Sequence, residues 1–201
     1  MDRAYTLYLL RHCHDVASQV GKFDDLPLTL DGEAHAQRIA EFLVTQNITE
    51  IYSSPMKRAL QTAEIISNRI NVMVKQTPLI KDRDVGEASG MTYHQVQTKF
   101  GHLLKESSFG QDFKFPGGES NLDVYKRTEE IVSTIFSRTF GMSSQTLVVS
   151  HTLTLNYLMY IILKLGFRAE LMFQFEPGMG SILKKEHSHP NFQLIMFDKF
   201  T

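Results

Sequence analysis

One short run constrains this chain more than any other. Tyr5-Thr6-Leu7-Tyr8-Leu9-Leu10 carries no charge and ends abruptly at Arg11-His12. Large apolar residues that do not alternate with polar ones predict a strand covered on both faces, as in parallel sheets with helices above and below. Ligands of such sheets bind beyond the carboxyl ends of the strands. A permanent cation and an imidazole therefore stand where a site would be. A second run, Thr146 to Ser150, ends in the same way at His151. One histidine after a buried strand is as readily a hydrogen-bonded loop residue as a reactive one, but two in equivalent places point to a shared site.

Between these runs strand and helix signals alternate. Thr29 is the expected N-cap of a helix whose Ala36, Ile39, Ala40 and Leu43 form one apolar stripe. A short strand over 50–53 follows. Ser54-Pro55 then predicts a helix start, serine capping and proline at the first helical position, with Ala59, Ala63, Ile66 and Ile70 as its stripe. A strand over 72–76, a loop over 78–91 and a helix over 92–104 come next. Phe115 to Ser120 reads as a turn-rich loop ending in a cap, before a helix that buries Val124, Ile131, Val132 and Ile135. An apolar helix over 152–165 is expected to stop at Gly166. Strands over 181–185 and 192–197 predict an antiparallel edge hairpin. With no linker, repeat or low-complexity tract, the expectation is a single domain over 1–201. It is a three-layer α/β/α sandwich whose mostly parallel sheet carries an antiparallel edge strand.

Charge and composition narrow the partners. A net charge of -1 gives no global basicity for nucleic acid or a membrane surface. The longest apolar segment, 153–165, is interrupted by Thr154, Asn156 and Lys164 and is too short to span a bilayer. The single cysteine, Cys13, fits a reducing compartment, and the first residues lack a signal-peptide pattern. A cytoplasmic protein is expected, with neither nucleic acid nor membrane as partner. Any anion must be held locally, and Arg58 is placed to do so. It falls in the first turn of its helix, where the macrodipole repels a cation unless an anion lies in front. Arginine also grips phosphate with two parallel hydrogen bonds. Lys57 beside it reads as solvated.

Five motifs occur in order: Leu10-Arg11-His12; Pro27-Leu28-Thr29 with Gly32; Ser53-Ser54-Pro55 with Arg58 and Gln61-Thr62-Ala63; Pro116-Gly117-Gly118-Glu119-Ser120; and Val148-Val149-Ser150-His151. Together they resemble the histidine phosphatase superfamily and its phosphoglycerate-mutase-like fold over nearly the whole chain. The resemblance implies that His12 is a nucleophile forming a phosphohistidine. It also implies that Arg11, Arg58 and His151 receive the phosphoryl oxygens, and that neither metal nor cofactor is required. It further implies a carboxylic acid in the loop after the third strand. Matching Gly86 and Gly90 to the family's glycines puts Asp82 there, where glutamate is usual, with Glu87 as the rival. The first motif departs from the family's Arg-His-Gly-Glu-Thr and later Asn, holding Cys13, His14, Asp15 and Ser18. Cys13 stands where a glycine would admit phosphate to the backbone, and with Ser18 it is an expected phosphate-binding residue. Ser18 can donate where the amide would. His14 and Asp15 read as solvated.

Other chemistries fit less well. A cysteine phosphatase needs arginine six residues after its cysteine, and position 19 is Gln19. His12-Cys13-His14 resembles a barrel-hydrolase metal site, but such barrels need about 250 residues. The His187/His189 pair reads as a solvated hairpin turn. The expected activity is metal-independent hydrolysis of a small phosphorylated metabolite. A phosphomutase and a catalytically degenerate phospholigand-binding protein are the alternatives. Related mutases are usually longer, and the compact 78–120 region favours hydrolysis. The segment from Asp24 to Thr29 is also similar to α-ribazole phosphatases. Specificity is expected in residues 13–28 and 86–120.

Overall fold

The computed structural model describes residues 4–106, 110, 112–136, 144–186 and 191–199. His187, His189, Phe109 and the Ile135 side chain lie outside that description. Six strands form one sheet: β1 (Ala4–Arg11), β2 (Glu50–Ser53), β3 (Val74–Gln76), β4 (Gln145–Ser150), β5 (Met179–Glu186) and β6 (Gln193–Lys199). Their order is β3-β2-β4-β1-β5-β6. The first four are mutually parallel, and β5 runs against β1 and forms the expected antiparallel hairpin with β6 at one edge.

The centre of β1 is uncharged and mostly apolar, as burial from both sides requires. Leu7 and Leu9 join Val148 and Leu183 in one core, while Tyr8 and Leu10 join Ile51, Leu147 and Val149 in the other. Burying each such aliphatic side chain contributes about 1.5–3 kcal/mol, so a charge at any of these positions would be excluded. Helices α2 (Leu30–Leu43) and α3 (Lys57–Ile70) cover the second face with Ala36, Ile39, Leu43, Ala59, Ala63 and Ile66. Helices α5 (Asn121–Ile131) and α6 (Thr152–Ile162) cover the first, with Val124, Ile131, Leu155 and Leu158. A third cluster stands apart from the sheet. Ala88, Val96, Phe100, Phe113 and Phe115 pack together with Phe23, Val85 and Met91, using α4 (Tyr93–Glu106) and the loops around it.

The caps follow the sequence with two exceptions. Thr29 Oγ1 accepts from the Gly32 amide, and Ser120 and Asp123 form a reciprocal capping box. Ser54 and Pro55, however, precede α3, which begins at Lys57 after an extended, uncapped Met56. Ser54 Oγ accepts only the Met56 amide ahead of the helix and also meets His151, an interaction a local cap signal cannot anticipate. Helix α6 also ends three residues early. Lys164 takes the left-handed conformation, and the amides of Lys164 and Leu165 donate to the Ile161 and Tyr160 carbonyls, so a Schellman turn ends the helix ahead of Gly166. No described helix is long and apolar enough to cross a membrane.

Candidate active site

Register places the two histidines. Arg11 on β1 pairs with Ser150 on β4, so the next residues, His12 and His151, leave the sheet side by side with ring centroids 5.2 Å apart. Both are buried. His12 Nδ1 lies 2.8 Å from its neighbour's carbonyl, Cys13 O, and Nε2 accepts from Arg58 Nε at 3.2 Å. That pattern puts the proton on Nδ1 and leaves the Nε2 lone pair facing the arginine. Burial, then His151, Arg58 and Arg11, hold the His12 pKa well below its ordinary value, so the ring is neutral at pH 7. His151 is likewise held neutral by burial and by Arg58 and Arg11. Ser54 Oγ already accepts the Met56 amide at 3.3 Å, so its own proton can go to His151 Nε2 at 2.9 Å. This leaves His151 Nδ1, which has no hydrogen-bond partner among the described residues, 3.6 Å from Asp82 Oδ2.

The cations converge on the same point. Arg58 Nη2 donates to Asp82 Oδ2 at 2.9 Å, and Arg11 Nη1 is anchored on the Phe175 carbonyl at 2.7 Å while its buried Nε has no partner among the described residues. Two buried donors, Arg11 Nε and His151 Nδ1, thus lack partners among the described residues, and the second lies beside a carboxylate already bound by Arg58. Arg11, His12, Arg58 and Asp82 line a cleft of about 400 Å3, open to solvent on one side. A second cavity of about 550 Å3 shares Arg11, His12, Asp82 and Arg83 and runs toward Leu153 and Leu171.

The residues of the first loop fall out differently from expectation. Cys13 is fully buried in the core beneath α2 and α3, and its amide donates to Thr62 Oγ1 at 3.1 Å. With the peptide turned toward α3, neither the thiol nor the amide reaches the cleft, and burial pushes the thiol pKa up to about 12. Cys13 is thus a core residue rather than a phosphate ligand. Asp15 is buried, not solvated. It caps a short turn, α1 (Val16–Gln19), by accepting the Ser18 amide and hydroxyl at 2.9 and 2.8 Å, and its Oδ2 lies 3.7 Å from His12 Nδ1. Ser18 lines the cleft, but its hydroxyl proton is given to Asp15. His14 is half-buried and pairs with Thr29 Oγ1 at 3.1 Å, tying this loop to α2. Gly32 is required there because a Cβ would collide with the His14 carbonyl.

Of the two candidate acids, only Asp82 lines the cleft. Glu87 is exposed and paired with Lys99 at 3.0 Å on the far side of its loop. The placement of Asp82 rests on a residue that sequence reasoning missed. Arg127 on α5 donates to the Leu79 and Lys81 carbonyls at 2.9 and 3.1 Å and holds Glu119 through two bonds of 3.0 Å. Glu119 in turn accepts the Asp84 amide at 2.9 Å. This explains the Pro-Gly-Gly-Glu motif. Its glutamate braces the loop bearing Asp82, and a Cβ on Gly118 would come 2.6 Å from the Asp84 carbonyl. A helix-face arginine offers no local signal of such a contact.

The comparisons with known proteins agree with this geometry. A model of the histidine phosphatase superfamily (branch 1) matches residues 7–198, and the chain belongs to that superfamily. It is 30% identical over 168 residues to a Proteus mirabilis protein named "probable phosphoglycerate mutase GpmB", covering 82% of this chain and 77% of that one. It is 31% identical to phosphoserine phosphatase 1 of Hydrogenobacter thermophilus, covering 73% and 70%. Some relatives are much longer: the match spans 27% of the Gallus gallus 6-phosphofructo-2-kinase/fructose-2,6-bisphosphatase. The solved VO3 complex of mycobacterial glucosyl-3-phosphoglycerate phosphatase Rv2419c superposes with a TM-score of 0.82 at 20% identity, over 96% of this chain and 99% of that one, a likeness of fold.

Proposed function

We propose that this protein is a cytoplasmic, metal-independent phosphomonoester hydrolase that acts on a small phosphorylated metabolite through a phosphohistidine at His12. The observation that carries the reading is the state of His12, a neutral buried imidazole whose unprotonated Nε2 faces the cleft beside Arg58. In the first half-reaction Nε2 attacks phosphorus, the bond to the leaving oxygen breaks, and a proton on Asp82 passes to that oxygen. In the second, Asp82 as carboxylate takes a proton from water, which attacks phospho-His12 and releases inorganic phosphate. Dividing the displacement in two suits a nucleophile of this kind. Arg11, Arg58 and His151 supply fixed donors for the three equatorial oxygens, a service that replaces the bound ion of other phosphoryl-transfer sites. On this reading the incoming phosphoryl group displaces Asp82 from Arg58 and His151, and the freed carboxylate takes up from solvent the proton that it then gives to the leaving oxygen.

The test is hydrolysis of phenyl phosphate in excess chelator, with His12→Ala alongside. Turnover that survives the chelator and is lost in the variant is expected. Retained turnover in His12→Ala, or loss on chelation, would overturn the mechanism. The 30% identity to a protein named as a phosphoglycerate mutase favours one second reading, in which the phosphoryl group returns to another hydroxyl of the product. Release of inorganic phosphate in step with product separates the two.

A further inference from the structure

The cleft walls carry more charge than phosphoryl transfer requires, and its distribution is uneven. Five carboxylates line the first cleft, and each is already engaged by the protein. Asp15 accepts from Ser18, Asp24 from the Asp25 amide, Asp25 from the Lys57 amide, Asp82 from Arg58, and Asp84 from the Gly86 amide. Arg83, between Asp82 and Asp84 in the chain, lines the same cleft. It lines both cavities, its Nη1 donates to the neutral Asn121 side chain at 2.9 Å, and its guanidinium lies 5.9 Å from the Phe113 ring centroid. Its nearest acidic neighbours, Asp82 and Glu119, are taken by Arg58 and Arg127. Among the described residues Arg83 forms no ion pair with any carboxylate.

A half-buried guanidinium is costly to leave without a counter-charge. Its planar face is already fixed by the Asn121 bond and the Phe113 ring, so little side-chain freedom would be lost on binding. It is adjacent in the chain to Asp82, the residue proposed to meet the leaving oxygen, and the cavity it shares with that carboxylate continues to Leu153 and Leu171. We infer that Arg83 receives a second anionic group, a carboxylate or a second phosphate, carried on the leaving portion of the substrate. The preferred substrate is then a phosphomonoester of an acidic alcohol rather than of a neutral one. This inference deepens the hydrolase reading above and rests on the same cleft.

Matched ester pairs test it. Glycerol 3-phosphate and 3-phosphoglycerate differ by a carboxylate, and fructose 6-phosphate and fructose 1,6-bisphosphate by a phosphate. For wild type, kcat/KM should favour the more anionic member of one pair by at least about tenfold, and the pair that responds identifies the anion. In Arg83→Met that ratio should fall by about tenfold or more, as expected for loss of a charge-assisted bond. A wild type indifferent to both pairs, or a ratio unchanged in the variant, would overturn the assignment while leaving phenyl phosphate hydrolysis, and so the mechanism, intact. Calorimetry covers failure of the mechanism itself, because binding needs no turnover. The affinity for 3-phosphoglycerate or fructose 1,6-bisphosphate relative to inorganic phosphate should fall about tenfold in Arg83→Met. An equal loss for both would mean that Arg83 only shapes the loop.

Discussion

Arg127→Met removes the brace behind Asp82 while keeping most of the side-chain volume. The guanidinium makes three bonds to the carbonyls of Leu79, Lys81 and Asp82 and a two-point pair with Glu119, and its side chain is 16% exposed. Breaking a buried pair costs about 3–5 kcal/mol, and the partial exposure of Glu119 puts this one near the lower end. At about 2–4 °C per kcal/mol for a chain of this size, a loss of roughly 3 kcal/mol lowers Tm by about 6–12 °C. The chemical effect has its own signature. A displaced general acid matters most where the leaving oxygen is basic, so kcat on an alkyl phosphate should fall about 10- to 100-fold, and on 4-nitrophenyl phosphate far less. Thermal melts and the two substrates side by side are the assay. Unchanged Tm would show that the brace carries no load. Equal losses on both substrates would show that Arg127 does not act through Asp82. Glu119→Gln, which keeps a carbonyl acceptor, should reproduce the effect in weaker form.

Three further outcomes follow from the site. Asp82→Asn should slow alkyl phosphate turnover at least about 100-fold and Glu87→Gln less than about twofold, since only Asp82 lines the cleft; the reverse order in steady-state kinetics would move the acid to Glu87. Because the buried His12 and His151 have pKa values well below that of a free histidine, their contribution to stability is complete above about pH 6.5 and declines below it, as the unfolded chain takes up protons that the folded chain refuses. Urea unfolding at pH 7 and pH 5 should show a fall of up to about 1.4 kcal/mol per pH unit for each histidine, and a double His→Asn variant that kept the full slope would refute this cause. Cys13, buried and with its thiol raised to about 12, should resist iodoacetamide at pH 8 until the protein is unfolded, and rapid labelling of the native protein would place it in the cleft after all.

The sheet and the heart of the site were legible because their signals are local and redundant. Two charge-free runs ending at histidine specify two buried strands, and parallel pairing then makes His12 and His151 neighbours. Thr29 and Ser120 cap as their spacing predicts. What could not be read depends on which way a peptide turns or on what a distant element brings. Cys13 was misassigned because one bond from its amide to Thr62 sends the side chain into the core. Ser54 carries a strong cap signature, yet its hydroxyl serves a histidine 97 residues away. Asp15 looks like a polar loop residue, and only the packing of the 13–28 loop against β1 and α2 buries it. Arg83 and Arg127 lie on stretches whose pattern is satisfied by solvent, and their contacts cross 38 to 48 residues of sequence.

The separation of the phenylalanine cluster from the two sheet cores has a consequence for motion. The floor of the cleft, at the ends of β1 and β4, is fixed by both cores, whereas Phe23, Val85 and α4 hold their side of it through a small core of their own. Regions with separate cores open with separate free energies. Amides of β1 and β4 should exchange with deuterium only when the whole molecule unfolds, while those of α4 exchange through a cheaper, local opening that leaves the histidines undisturbed. The wall formed by Phe23, Val85 and α4 is thereby free to breathe around ligands of different shape without loosening His12 and His151.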